Sequence, residues 1–470
     1  MKNRERVEVS VATYHRRSYS RRDFLKLGGT GLAGAALLGT AACGGGGGNG
    51  GGGGEIVFAY GPTGSEDKRT VEELVDRFNQ ENESGLKVQF DERSEVTDEY
   101  FRSLVSDFQA GSGSADVIAG DVIWSAELAS NNWIQDLSRR MYSDYSPQVP
   151  DAFLRAPMSS VSYRNSLWGV PWFTDVGVLY YRKDLLDEAG LADPPSTWSG
   201  LSDIANQVKD KTGTKHGFVF QGADYEGGVV NGLEYIWNAG GDVLEGNIST
   251  SAPGTPVSLS PNFVSIDSPA SVRGLETERG LVDDGVAPQE VSEFRESESN
   301  DAFMKGDAVF QRGWPFMYAT FGTDESQISQ DQVGIASLPV QSEGQRSWSC
   351  LGGWNMYMSS SSKNKSAAWE FIKWITAAKQ QIFRATEASF LPSLSSLYED
   401  QEVLNQVPVI DRAKDIVRED ARSRPVTPFY SVISSRLAGG FHASLTGESE
   451  PQQVIETLQN EMRNIIRQRG

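Results

Sequence analysis

Between Ile56 and Gly120 the chain alternates between two hydrophobic periods, and this alternation constrains its fold more than any other feature. Ile56-Val57-Phe58-Ala59-Tyr60 is a short apolar run stopped by Gly61-Pro62. Val71, Leu74, Val75 and Phe78 recur at helical spacing. Leu86-Lys87-Val88-Gln89-Phe90 alternates as a strand does. Phe101, Leu104, Val105 and Phe108 form a second helical stripe, and Asp116-Val117-Ile118-Ala119-Gly120 reads as another buried strand. Strand, helix, strand, helix, strand predicts an α/β fold with a parallel sheet covered on both faces. Ligands of such sheets bind beyond the carboxyl ends of the strands. Gly61 to Glu66 and Asp121 each follow a strand in this way.

A second α/β block begins near Val170. Leu179-Tyr180-Tyr181 is strand-like, Asp203 to Val208 falls in a helix, and Pro194-Pro195-Ser196-Thr197-Trp198 sets where that helix starts. The stretch from about Gly246 to Ser265 is rich in Ser, Pro and Thr and reads as an irregular excursion. Ala367 to Ile375 and Val454 to Ile466 are amphipathic helices. The globular part, from about Glu55 to Gly470, is long enough for two domains, and no internal repeat is visible.

The first segment is an address. Ser20-Arg21-Arg22-Asp23-Phe24-Leu25-Lys26 fills every position of a twin-arginine export signal. A mildly apolar run, Leu27 to Ala42, ends at Cys43, and small residues before a lone Cys fit lipidation of that Cys. The run is short of the ~20 residues that a membrane-spanning helix needs. Ten glycines broken only by Asn49 follow as a flexible tether. The expectation is residues 1–42 as signal, 43–54 as lipidated Cys and tether, and a protein held outside the cytoplasm on a lipid anchor.

Without residues 1–42 the chain carries 35 basic and 60 acidic side chains, a net charge of −25. That balance argues against nucleic acid and against anionic lipid as partners. Cys43 and Cys350 are the two cysteines. With Cys43 acylated no intrachain disulfide can form, and Cys350 reads as a small buried apolar residue. His216 and His442 are too few for a histidine-based metal site, and no cofactor is expected.

Recognition residues stand out where large rings adjoin Gly or Pro. Val170-Pro171-Trp172-Phe173-Thr174-Asp175-Val176-Gly177 sets two aromatics and an Asp before a strand. Phe310-Gln311-Arg312-Gly313-Trp314-Pro315-Phe316, Leu351-Gly352-Gly353-Trp354-Asn355 and Phe390-Leu391-Pro392 repeat the theme. Arg424-Pro425-Val426-Thr427-Pro428-Phe429-Tyr430 places a rigid fork of donors among prolines and aromatics. A ring in a pure core more often sits in a regular stripe, as Trp369 does. Together these residues suit a sugar. A pyranose has an apolar C–H face for a ring to bury and a rim of hydroxyls for carboxylates and a guanidinium to bind.

From Glu55 to Gly470 the chain resembles the family 1 extracellular solute-binding proteins of ABC importers, most of all the trehalose/maltose-binding branch. The matching stretches include Asp121-Val122-Ile123-Trp124, Pro171 to Asp175, Leu179 to Leu186, Pro195 to Trp198 and Tyr225-Glu226-Gly227. Trp314-Pro315, Gly352-Gly353-Trp354, Ala367 to Ile372 and Arg424 to Tyr430 complete the set in the family's order. The resemblance implies a two-lobed periplasmic-binding-protein-like fold of type II, each lobe a mostly parallel sheet flanked by helices, with the ligand in the cleft. It implies a first lobe of 55–170 plus 315–352 and a second of 171–314 plus 353–470. Crossings are expected near Pro171 to Asp175, Arg312 to Trp314 and Gly353 to Asn355.

Position by position, the resemblance makes Glu66 and Asp121 acidic sugar contacts of the first lobe and Asp175 one at the hinge, with Phe173 where a Tyr is common. Trp314 and Trp354 become stacking or wall aromatics, Gly353 a backbone contact, Phe390 a ring where a Trp can occur, and Arg424 the arginine of the second lobe. Gln221, Tyr225 and Glu226 are further candidates. The implied function is capture of a disaccharide, an α-glucoside such as trehalose or maltose, by a monomer that delivers it to an ABC permease, without catalysis. Two alternatives remain: the same fold binding another oligosaccharide, or a secreted glycoside hydrolase using Asp121 and Asp175 as its carboxylate pair.

Overall fold

The computed structural model describes residues 54–145, 149–244 and 263–469. The export signal, Cys43, nearly all of the glycine tract and most of the Ser/Pro/Thr-rich excursion lie outside them. The opening alternation folds as β1 (Glu55–Tyr60), α1 (Gly64–Glu81), β2 (Lys87–Glu92), α2 (Thr97–Ala110) and β3 (Val117–Asp121). β1 pairs in parallel with β2 on one side and β3 on the other. Val71, Leu74, Val75 and Phe78 of α1 are buried with Phe58 in one core, as period-3.6 spacing requires of a helix laid on a sheet.

The remaining principal strands are β4 (Val170–Val176), β5 (Val178–Arg182), β6 (His216–Val219), β7 (Ala308–Gly313), β8 (Val333–Ala336), β9 (Ser349–Met358), β10 (Leu391–Pro392) and β11 (Ala421–Arg422). The first sheet runs β10-β4-β9-β3-β1-β2, with β11 beside the first residues of β9. β9 lies antiparallel to both β3 and β4. The second sheet runs β8-β5-β7-β6, antiparallel except for β7 with β6. Both sheets are therefore mixed, where the resemblance implied a mostly parallel one in each lobe. The helix expected at Asp203 to Val208 spans Trp198–Thr212, and the Thr197 side chain caps it by accepting from the Gly200 N–H at 3.1 Å. The later stripes fold as helices Lys365–Ile375 and Pro451–Arg469.

The lobes divide the chain differently from the sequence expectation. Residues 315–352 were expected in the first lobe, yet Met317, Tyr318, Phe321 and Val333 join Tyr180 and Leu233 in a second-lobe core. Residues from 353 were expected in the second, yet Met356, Tyr357, Trp369 and Phe371 pack with Phe58. The cause is β9: its start packs Cys350 into the second-lobe core, and its end pairs with β3. Trp314 is likewise no crossing, because β7 before it and the short helix Pro315–Thr320 after it pack into the same second-lobe core. Beside β4 and β9, the chain passes between cores at Phe390 and Leu391, which fall in different ones.

Candidate functional site

Strand register assembles the site. Asp121 ends β3 and lies opposite Trp354 of β9. On the other side of β9, Trp354 faces Phe173 and Gly352 faces Asp175. Phe173 and Asp175 are two residues apart on β4, so they share a face. Gly353, between them in register, has φ 107°, and a Cβ there would come within 2.4 Å of the Phe173 carbonyl oxygen. Only glycine fits that close approach.

A cavity of about 260 Å³ opens between the lobes at these strand ends. Asp121, Phe173, Asp175, Tyr225, Glu226, Trp314, Gly353, Trp354, Phe390 and Arg424 all line it. Arg424 is buried and forks across the cavity. Its Nη1 donates to Glu226 Oε1 at 2.6 Å, and its Nη2 donates to Asp121 Oδ1 at 3.0 Å. Tyr430 donates to Glu226 Oε1 at 2.6 Å, and Ser434 donates to the other Glu226 oxygen. Burial pushes the Asp121 carboxyl up to about 6, against the pull of Arg424. Burial also raises Asp175 well above the usual carboxylate range, opposed by the Val176 N–H and Arg312. Glu296 is raised by enclosure, although it accepts from Tyr225 at 2.8 Å.

The aromatic walls are held from behind. Phe390 packs on Phe173 with ring centroids 4.6 Å apart, and Trp354 meets Tyr60 edge-on at 5.1 Å. Arg312 lies 4.1 Å from the Trp314 ring centroid and grips Glu234 with two bonds of 2.8 and 2.7 Å. Arg384, ion-paired with Asp67, lies 4.4 Å from both the Phe173 and Phe390 centroids. The Trp314 wall and the Phe173–Phe390 wall therefore each have a buried guanidinium at the back, neutralised by its own carboxylate, whereas Trp354 is backed by aromatic rings.

The sequence profile of one family, described as "Bacterial extracellular solute-binding protein", matches residues 61–382. The chain belongs to that family. A "Probable ABC transporter-binding protein" of Deinococcus radiodurans is 31% identical over 367 residues, covering 76% of this chain and 81% of the relative. The "Galactooligosaccharide-binding protein" of Bacillus subtilis is 23% identical over 66% of this chain and 68% of its own length. Among solved structures, "Maltose bound T. maritima MalE3" superposes with a TM-score of 0.77 at 32% identity, covering 88% of this chain and all of that one. Such proteins work outside the cytoplasm, and the family and these relatives are binding proteins.

In this solute-binding protein two sequence candidates stand away from the cavity. Glu66 sits in the first turn of α1 with its side chain 63% exposed, paired with Arg69 at 3.2 Å. The loop before α1 sends Thr63 to the cavity instead. Gln221 is buried behind Trp314, where it accepts from Arg312 at 3.0 Å, because the residues after β6 run beneath the wall. Conversely, the cavity takes residues that sequence reasoning missed: Glu95 to Asp98 at the start of α2 and Arg295 to Glu298 at the start of a helix spanning Glu296–Met304. Their signal was partial: Asp98 and Glu99 crowd the first turn of one helix, and Glu296 and Glu298 that of the other, where Glu298 accepts from the Arg295 N–H at 3.0 Å.

Proposed function

We propose that this solute-binding protein captures a disaccharide of the trehalose or maltose kind in the inter-lobe cavity and presents it to the membrane subunits of an ABC importer. The observation that carries the reading is the convergence of Trp314, Trp354, Phe173 and Phe390 with Asp121, Asp175 and Arg424 around one cavity. Rings bury the C–H faces of a pyranose, and fixed carboxylates and a guanidinium pair its hydroxyls, so few polar atoms are left unsatisfied on closure. Likeness to a maltose-bound structure at 32% identity supports an α-glucoside. Lobe closure offers the permease a shape that depends on occupancy. A micromolar affinity corresponds to about −8 kcal/mol. We infer further that the chain is exported by its twin arginines, works as a monomer, and is anchored through a lipid on Cys43. The test is a thermal-shift screen of di- and trisaccharides followed by calorimetry, since a ligand of the native state raises the melting temperature by mass action. No shift with any α-glucoside would sink the reading.

A second reading, an oligosaccharide of another linkage, draws on the galactooligosaccharide-binding relative. The same screen separates the two. Release of free glucose from trehalose or maltose would instead bring back the hydrolase alternative.

A further inference from the structure

The charge of the cavity does not balance. Its lining contains seven carboxylate side chains and two guanidiniums, Arg295 and Arg424, with no lysine or histidine. Arg424 is committed to Asp121 and Glu226. Arg295 lies at the exposed rim, 5.0 Å from the Tyr225 ring centroid, as do Glu95, Asp98 and Glu298, with Glu296 half-buried; the imbalance that remains inside is Asp121, Asp175 and Glu226 against Arg424 alone. The two guanidiniums behind the walls lend nothing net, because Arg312 is neutralised by Glu234 and Arg384 by Asp67.

Asp175 is the sharpest case. It is 5% exposed and lines the cavity, and it accepts from the adjacent Val176 N–H at 3.2 Å. Asp175 and Trp314 converge on Gly352: a Cβ on that glycine would lie 3.0 Å from the Asp175 Cβ and 2.8 Å from the Trp314 ring. A buried carboxyl with room beside it and an aromatic face next to it is the chemistry that receives an ammonium group. A neutral hydroxyl donates to such a carboxylate but leaves its charge uncompensated when closure removes water, where like charges repel most.

Resting on the sugar-binding reading above, we propose that the guest is an amino-substituted glycoside whose ammonium group sits between the Asp175 carboxylate and the Trp314 ring. The rest of the sugar takes the remaining walls. The ammonium supplies the missing positive charge and three donors, and it keeps Asp175 ionised.

The experiment is calorimetry on the full mature chain with maltose and trehalose, each beside its mono-amino-deoxy analogues at C2, C3 and C6. The expected result is that at least one analogue binds about tenfold tighter than its parent, which is about 1.4 kcal/mol. Asp175→Asn, folded by melting curve, is expected to bring that ratio close to one. Parents that bind while every analogue binds equally or more weakly overturn the inference and leave the receptor reading intact. A gain that survives Asp175→Asn overturns the assigned seat. No binding of any parent or analogue overturns both.

Discussion

Arg424 and Asp121 meet at 3.0 Å across the mouth of the cavity, one from the segment leading into the helix Tyr430–Leu445 and the other from the last position of β3. The same guanidinium holds Glu226 at 2.6 Å, so one side chain fixes two of the buried carboxylates that line the cavity. Arg424→Ala leaves both buried without a counter-charge, although Glu226 keeps its bonds from Tyr430 and Ser434, and the loss costs on the order of 3–5 kcal/mol. The variant is expected to unfold cooperatively at a lower midpoint in urea and to lose measurable sugar binding. Unchanged affinity by calorimetry would remove Arg424 from the site.

Trp314→Ala tests a wall without touching a charge pair directly. Trp314 is buried at 8% exposure with Arg312 behind it. Loss of a central aromatic anchor costs about 2 kcal/mol or more of binding. Sugar affinity is expected to fall at least about thirtyfold while the fold persists by circular dichroism.

Gly353→Ala challenges the backbone instead. The φ of 107° disfavours any L side chain, and the added Cβ meets the Phe173 carbonyl at 2.4 Å. Strain of this kind costs about 1–3 kcal/mol. A matching fall in thermal midpoint is the expected reading, with sugar affinity lowered as Phe173 is displaced.

How far the sequence exposed this site depends on the range of the interactions involved. The run from β1 to β3 was legible because each element announces itself by its own hydrophobic period. The aromatics Trp314, Trp354, Phe173 and Phe390 were legible because each lies within two residues of a Gly or Pro, although Phe173 and Trp354 prove to sit inside β4 and β9. The lobe boundaries were not, since the antiparallel insertion of β9 between β3 and β4 is a long-range pairing that local periodicity does not encode. Gln221 shows the same limit: a polar residue just after a strand can face a cleft or run beneath its wall. The helix starts at Asp98 and Glu298 could be read from their acidic first turns, but not as cavity walls.

The Cys350 thiol is buried in the second-lobe core, and burial pushes it up to about 12. The thiolate is the reactive form, so the folded protein is expected to leave Cys350 unmodified. In a Cys43→Ser chain, a disulfide-exchange reagent at pH 8 is expected to titrate one thiol in denaturant and none in buffer. Rapid reaction of the native protein would contradict this packing.

Glu278 provides the pH test. It is buried on the helix Pro269–Asp283, and burial, then the charge of Glu234, pushes its carboxyl up to about 8. Its folded value lies above its unfolded one, so between about pH 4.5 and pH 8 the native state holds a proton that the unfolded chain has released. Stability therefore falls as pH rises through that window, by an amount on the order of a few kcal/mol for this group. Glu278→Gln removes the proton but keeps the shape. In urea titrations at pH 5 and pH 8, the variant is expected to be close to the parent at the lower pH and more stable at the higher. Parallel pH profiles for the two proteins would mean that Glu278 is charged in the fold, with a counter-charge drawn from its surroundings.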